Sequence, residues 1–414
     1  YDEDGRIHRA GYLWTDEYEK YFKNLCGEAG LYVRDTPLSS NIVNTSEEDY
    51  CALQKLCSYL LGSSNQIHLT AELLTVEYKY DINGNLIEQK TPFGSIHYKY
   101  DDEDRLILWG ESCSAVWDKN GNILKKITAF NSQIFEYTRE NRIKRVESID
   151  FIDNSFTVQR YLYDALGRRI QTYSSTKGTI KNMYAGFSFE VFYSWLSENT
   201  ATSEEEIENN YRYSKIENYS SENYRFETKL NQKTKNAAKS IFYTMYDNTG
   251  RPMFLINKNT SAEWQRQALF TDFEGTVVKS CTEADIIYDY EYDCFGSVIN
   301  SDSKMIYGFA GKNYDKTTSL YDFGYRNYLG QWGRFITVDP IKDGLNWYSY
   351  CNGNPVSFID IDGLFIIDPE FKDMHDDQWD DTTINYTGTT IGEEGCTVTA
   401  VAEVMSSLTG ENYT

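Results

Sequence analysis

The sequence predicts a mainly β fold built from repeated hairpins, and three observations carry that reading. A short pattern, aromatic-Asp-x-x-Gly-x-apolar, recurs seven times between Tyr1 and Val298. Tyrosine, at 35 residues, outnumbers glycine at 27, which is far from ordinary usage. Tyrosine favours strands because it fits a half-buried pleated surface. Proline, at 6 residues, is too scarce for a proline-rich linker protein.

The repeats are Tyr1-Asp2-Glu3-Asp4-Gly5-Arg6, Tyr80-Asp81-Ile82-Asn83-Gly84-Asn85 and Tyr100-Asp101-Asp102-Glu103-Asp104-Arg105. Trp117-Asp118-Lys119-Asn120-Gly121-Asn122, Tyr163-Asp164-Ala165-Leu166-Gly167-Arg168 and Tyr246-Asp247-Asn248-Thr249-Gly250-Arg251 follow. The last is Tyr292-Asp293-Cys294-Phe295-Gly296-Ser297, and Phe273-Glu274-Gly275 is a degenerate relative. The aromatic ends one strand, Asp and Asn make turn hydrogen bonds, and Gly supplies positive φ. The next strand then restarts with apolar residues, as in Asn85-Leu86-Ile87. A single hairpin cannot bury its own face, so the units must pair side by side, with their aromatics packed against neighbouring hairpins.

Three stretches interrupt the repeats. Residues 15–30 suit a helix with Thr15 as N-cap and Gly27 or Gly30 at its stop. Residues 45–62 suit a second, with Leu53, Leu56, Tyr59 and Leu60 on one face. Both read as an insertion packed on the hairpin array. Residues 197–238 are highly polar and read as exposed loops or irregular strands.

Net charge is -23, from 63 acidic and 40 basic residues, a field that opposes a nucleic-acid backbone. No apolar run approaches the roughly 18 residues of a membrane-spanning helix. The eight cysteines form no CxxC pair and histidines number four, so no zinc spacing, and no cofactor or metal motif, is present. Free buried thiols are expected. Tyr1 already lies inside a repeat, so a longer natural chain is expected.

The most informative stretch is Tyr321 to Leu364. It contains Gly333-Arg334-Phe335, Asp339-Pro340, Asn346, Tyr348, Tyr350, Asn354-Pro355 and Asp360-Ile361-Asp362-Gly363-Leu364. This resembles the C-terminal core motif of bacterial RHS proteins, the YD-repeat family, at the level GRFxxxDP…NxYxY…NPxxxxDxxGL. The resemblance implies a hollow β-shell of YD hairpins over residues 1–300, carrying the helical insertion near 15–62 and the polar one near 197–238. A core over 301–364 would close the shell. Residues 365–414 would begin a variable effector held inside as cargo. In RHS proteins and the related C components of insecticidal toxin complexes, the corresponding carboxylates cut the chain just after the motif.

Carried over here, Asp339 and Asp360 would form an aspartyl dyad, Arg334 would orient or charge-balance it, and the scissile bond would be Leu364–Phe365. Paired carboxylates cannot both ionise freely, so one keeps a proton while the other acts as base on a water. Asp362 is a third nearby carboxylate. Ile361 stands where the family usually has Pro, and Leu329-Gly330 where an Asp-Pro is usual.

After Leu364, Gln378-Trp379 precedes Gly395-Cys396-Thr397-Val398-Thr399-Ala400-Val401. Val398, Val401, Ala402, Met405 and Leu408 recur at helical spacing after Cys396. A thiol at a helix N-terminus is activated by the dipole, and Gln378 could supply an oxyanion-hole amide. The stretch resembles papain-like cysteine peptidases of the bacteriocin-leader-processing type, which implies Cys396 as nucleophile and Gln378 as oxyanion stabiliser. No His follows Cys396, so the base is absent from this chain. The family resemblance further implies a secreted or surface-located bacterial polymorphic toxin, with an immunity protein and secretion machinery as partners. The reading from another class is a non-catalytic YD-repeat adhesion scaffold.

Overall fold

The computed structural model describes residues 1–13, 16–30, 73–197 and 238–367, apart from residues 185, 187, 248, 260–263, 273, 285, 302–304 and 343. Eighteen strands form the main sheet. The first ten are β1 (Arg9–Leu13), β2 (Leu73–Tyr80), β3 (Leu86–Thr91), β4 (Gly94–Tyr100), β5 (Leu106–Trp109), β6 (Cys113–Trp117), β7 (Ile123–Ile127), β8 (Asn131–Tyr137), β9 (Ile143–Asp150) and β10 (Phe156–Tyr163). The rest are β11 (Arg169–Ser174), β12 (Gly178–Tyr184), β13 (Val191–Ser197), β14 (Ala238–Tyr246), β15 (Pro252–Asn259), β16 (Gln265–Thr271), β17 (Val277–Thr282) and β18 (Ile287–Asp289). Each strand pairs antiparallel with the next one along the chain, a continuous meander from β1 to β18.

The repeat motif builds the turns of this meander as its residue types require. At Asp81, Asp118, Asp164 and Asp293 the carboxylate Oδ1 accepts the amides two and four residues on, at 2.8–3.0 Å. The glycines three residues on, Gly84, Gly121, Gly167 and Gly296, hold φ of 78–80°, where a side chain would be strained. The other carboxylate oxygen takes the side chain four residues on, as in Arg105 to Asp101 and Asn122 to Asp118.

The aromatic of each repeat has a second duty. The Tyr80 hydroxyl donates to the Ile7 carbonyl, Tyr100 to Leu86, Tyr163 to Ile143 and Tyr292 to Val277, at 2.9–3.0 Å. The Trp117 indole N–H donates to the Leu106 carbonyl at 2.7 Å. Leu86, Leu106, Ile143 and Val277 each open the strand after the preceding turn, and Ile7 lies just before β1, so each repeat is pinned to the one before it. A β-bulge coincides with the aromatic in these hairpins and turns its ring inward. The rings of Tyr80, Tyr100, Trp117 and Tyr163 accordingly pack on the apolar core, as the tyrosine excess predicts.

One repeat escapes the sequence pattern. Thr138 takes the Asp position and accepts the Arg142 amide through Oγ1 at 3.3 Å, while Asn141 supplies φ of 57° in place of Gly.

Helix α1 (Asp16–Glu28) matches the expected first helix, and Gly30 at φ 81° follows its end. Phe22, Leu25, Cys26 and Ala29 are buried in the core formed by the first half of the sheet. The carbonyls at and just past the end of α1 find donors in the hairpin turns: Glu111 N–H to Ala29 at 2.8 Å and Ala129 N–H to Glu28 at 3.1 Å. A Cβ on Gly110 would lie 2.0 Å from the Ala29 carbonyl oxygen, so only glycine permits this approach. The α1 helix thus fills the inside of the early hairpins. Thr15, the expected helix at 45–62 and the polar stretch 198–237 lie outside the described residues. Among the described residues, Cys26, Cys113 and Cys351 are buried free thiols, and Cys281 and Cys294 are half-buried ones.

The later strands line a cavity with both apolar and polar residues, Ile180, Leu196, Phe242 and Leu255 among the apolar ones. Thr172, Asn182, Ser194, Thr244, Asn257 and Gln267 help line this cavity of ≈810 Å³. No described helix is long and apolar enough to cross a membrane.

Candidate functional site: a buried arginine between two carboxylates

The chain leaves the main sheet through a small hairpin, β19 (Glu291–Tyr292) with β20 (Val298–Asn300). It then makes a four-stranded sheet of β21 (Asn313–Asp315), β22 (Leu320–Asp322), β23 (Asn327–Leu329) and β24 (Arg334–Phe335). A last hairpin pairs β25 (Ile359–Asp360) with β26 (Ile366–Ile367). Phe309, Tyr321, Phe323, Tyr328, Phe335 and Tyr350 form one buried cluster, with Tyr328 and Tyr350 ring centroids 4.6 Å apart. These rings exclude water and lower the local dielectric, so a charge placed among them needs partners.

Arg326 is that charge. It ends the turn between β22 and β23, where the Phe323 amide donates to the Arg326 carbonyl at 3.1 Å. Its side chain is 4% exposed, with the guanidinium carbon 3.7 Å from the Phe335 ring centroid. Nη1 lies 3.3 Å from Asp339 Oδ2, and Nη2 lies 3.3 Å from Asp360 Oδ2. Nη1 also donates to the Trp347 carbonyl at 3.2 Å, and Nε to the Gly363 carbonyl at 2.5 Å. One guanidinium therefore bridges two carboxylates that are far apart in sequence, both less than 10% exposed.

Local backbone bonds aim the two carboxylates. The Asp339 amide donates to the Trp347 carbonyl at 3.0 Å, and Asp339 Oδ1 accepts the Ile341 amide at 2.9 Å. The pairing of Asp339 with Trp347 supplies the return leg that the separation from Asp360 demands. Asp360 Oδ1 accepts three amides: Gly363 at 2.7 Å, Asp362 at 3.2 Å and Leu364 at 3.2 Å. Gly363 has φ of 87°, and a Cβ there would meet the Arg326 amide nitrogen at 2.9 Å. Leu364 and Phe365 lie half-buried in the turn joining β25 to β26.

Burial pushes the Asp360 carboxyl up to about 6, against the opposing pull of Arg326 and the Gly363 amide. Burial likewise raises Asp362 and lowers Arg326, while the charges of Asp360 and Asp339 hold Arg326 protonated. A carboxyl pushed up to about 6 that shares a buried cation with a second carboxylate can exchange a proton with water.

Arg334, the arginine expected to serve this pair, lies elsewhere. Its Nη2 donates to the Asp104 carbonyl at 2.7 Å and to Asn346 Oδ1 at 3.4 Å, and its Nη1 to Asn85 Oδ1 at 3.4 Å. Its guanidinium sits over the Tyr100 and Tyr348 rings at 4.8 and 5.3 Å. The reason is register: β23 and β24 pair Leu329 with Arg334, and that turn faces Arg334 toward the repeat turns of β2–β5. Asp339 and Asp360 thus both meet Arg326, on separate guanidinium nitrogens, while the hydrogen bonds of Arg334 go to Asn85, the Asp104 carbonyl and Asn346. A charge embedded in the aromatic run Tyr321 to Tyr328 is the sequence signal for Arg326. Gln378 and Cys396 lie outside the described residues.

The Teneurin YD-shell family model matches residues 31–356. Teneurin-3 of Danio rerio is 26% identical over 312 residues, covering 72% of this chain and 10% of that protein. Toxin subunit YenC1 of Yersinia entomophaga is 29% identical over 152 residues, 34% of this chain and 15% of that protein. The crystal structure of TcdB2-TccC3-TEV aligns with 72% of this chain and 17% of its own at 16% identity, with a TM-score of 0.40. The chain therefore spans a small part of the length of these relatives.

Proposed function

The chain belongs to the Teneurin YD-shell family, and from that premise we propose that it is a toxin-type shell segment that hydrolyses its own Leu364–Phe365 bond. One observation carries the reading: Arg326 holds Asp339 and Asp360 on one guanidinium, and Asp360 directly grips the Leu364 amide. The similarity to a toxin subunit supports the shell role.

The chemistry follows from what peptide hydrolysis requires. A water attacks the Leu364 carbonyl carbon, and one carboxylate of the pair takes the water proton. The other carboxyl gives a proton to the Phe365 nitrogen as the C–N bond breaks, leaving a Leu364 carboxylate and a Phe365 amine. Arg326 keeps the two carboxyls close without both repelling, and the aromatic cluster strengthens these interactions by excluding bulk water. The tied amides of Asp362, Gly363 and Leu364 hold the substrate segment in place before reaction.

The segment after the cut is read as a cysteine-peptidase-like effector begun by Gln378 and Cys396 and carried as cargo. Export from a bacterial cell, secretion machinery and an immunity protein belong to the same reading. The test is electrophoresis and intact mass of purified wild-type, Asp339→Asn and Asp360→Asn chains. The wild type is expected as two fragments and each variant as one. A single uncut species in all three would favour a non-catalytic adhesion scaffold, in which Arg326 is a cross-link only.

A further inference from the structure

We propose that Lys312 is a positioning residue for the self-cleavage site, fixing the substrate turn through the Ile361 carbonyl and balancing the carboxylates of that turn. The inference rests on the reading that the Arg326 pair cuts after Leu364.

The backbone around Lys312 is built to hold it still. Gly308-Phe309-Ala310-Gly311-Lys312 is a tight turn in which the Gly308 amide donates to the Lys312 carbonyl and the Lys312 amide to the Phe309 carbonyl, both at 3.0 Å. Ala310 and Gly311 take φ of 51° and 67°. The turn is tied to the start of β17 by the Val277 amide to the Gly308 carbonyl at 3.1 Å and by the Ala310 amide to Thr276 Oγ1 at 3.0 Å.

From that anchor Lys312 Nζ crosses the Phe323 ring, 5.4 Å from its centroid, and donates to the Ile361 carbonyl. The neighbouring carbonyls are also occupied: Asp362 by the Tyr325 amide at 2.8 Å and Gly363 by Arg326 Nε at 2.5 Å. Three successive carbonyls before the scissile bond thus each meet a donor, while Asp360 takes the amides of Asp362, Gly363 and Leu364. Removing Lys312 frees one carbonyl of that clamp and removes one of its two cations.

The charges facing Lys312 agree with this role. Asp360, Asp362, Glu190 and Asp322 all act to keep it protonated against burial, and Arg326 is the other cation on the Asp360–Asp362 turn. Lys312 in return holds Asp360 and Asp362 lower than burial alone would. Lys312, Ile361 and Asp362 also line the ≈810 Å³ cavity, so this side of the site faces the shell interior.

The experiment is a time course of self-cleavage during cell-free synthesis of the full chain, at several pH values, for wild type, Lys312→Gln, Lys312→Arg and Asp360→Asn. Thermal melts of each product check folding. Lys312→Gln is expected to cleave about tenfold more slowly at neutral pH, the scale of one lost charged hydrogen bond. Its acidic limb is expected to move to higher pH, since Asp360 loses a stabilising cation, and Lys312→Arg is expected to restore both. A Lys312→Gln chain that cleaves at the wild-type rate, or slows with an unmoved limb, overturns the assignment. So does loss of cleavage in both Lys312 variants when both melt like the wild type. Either result, with cleavage in wild type and none in Asp360→Asn, leaves the parent reading standing. An uncut wild type that matches Asp360→Asn removes both.

Discussion

Arg326 and Arg334 flank the same short hairpin and are equally buried, at 4% exposed, yet their surroundings differ in kind. Among the described residues, the hydrogen bonds and ring contacts of Arg334 are with neutral groups: Asn85, Asn346, the Asp104 carbonyl, Tyr100 and Tyr348. Its charge is dispersed into amide dipoles and π faces, and it ties the core to the repeat turns of the early sheet. Arg326 meets two carboxylates, and each pair's energy depends on whether the partner carries a proton. A cation among neutral groups acts as a cross-link, while a cation between titratable groups makes their protonation a variable. The chemistry is set by what the strands bring opposite each arginine, not by which arginine stands nearer to Asp339 in sequence.

The largest contrast is expected from the two glutamine variants. Arg326→Gln removes the guanidinium that Asp339 and Asp360 share, which costs about 3–5 kcal/mol by comparison with other broken buried pairs. It is also expected to abolish cleavage. Arg334→Gln strands neutral partners only, at about 1–3 kcal/mol, and is expected to cleave to the wild-type extent once folded. Urea unfolding alongside gel analysis separates the two effects. Equal loss of cleavage in both variants would erase the distinction.

A second expectation concerns pH. Asp293, in the turn of the last repeat, accepts the Tyr21 hydroxyl at 2.7 Å, and burial pushes its carboxyl up to about 6. Its ordinary value is 3.8, so between those two values the folded state binds more protons than the unfolded chain. Its contribution to stability is therefore greatest below 3.8 and is lost as pH rises through about 6, on the order of 3 kcal/mol. Asp360 has the same sign and window. Melting temperature against pH should show a flatter curve for Asp293→Asn than for wild type. An unchanged slope between pH about 4 and 7 would contradict this.

The smallest effect is at the repeats. Tyr100→Phe keeps the ring and removes the donor to the Leu86 carbonyl, at a cost of about 1 kcal/mol in chemical denaturation. No measurable change would mean that ring packing alone joins neighbouring hairpins.

These two levels were unequally legible in the sequence. The hairpins were readable because turn formation is local: Asp81, Gly84 and Tyr80 act within one motif and its immediate neighbour. The turn at Thr138 was missed because a hydroxyl and Asn141 perform the duties of Asp and Gly by other chemistry. The motif singles out Asp339 and Asp360, and both meet Arg326. Arg334 was misplaced because proximity along the chain says nothing about which way a two-residue strand faces, and the Leu329–Arg334 pairing decides that. Lys312 was invisible, since a turn anchored on β17 delivers it from outside the motif. The filled early hairpins and the hollow later ones were also unread. In the first half Val76, Ile96 and Phe135 pack in a core that α1 joins, while in the second half Thr172, Asn182 and Ser194 line the cavity together with Ile180 and Leu196.

The most direct measurement is intact mass spectrometry of the purified wild-type chain beside Arg326→Gln and Arg334→Gln. Wild type and Arg334→Gln are expected to give one fragment ending at Leu364 and one beginning at Phe365, and Arg326→Gln a single unbroken mass. An unbroken wild-type chain, or a cut at any other bond, would contradict the assignment of the Arg326–Asp339–Asp360 site.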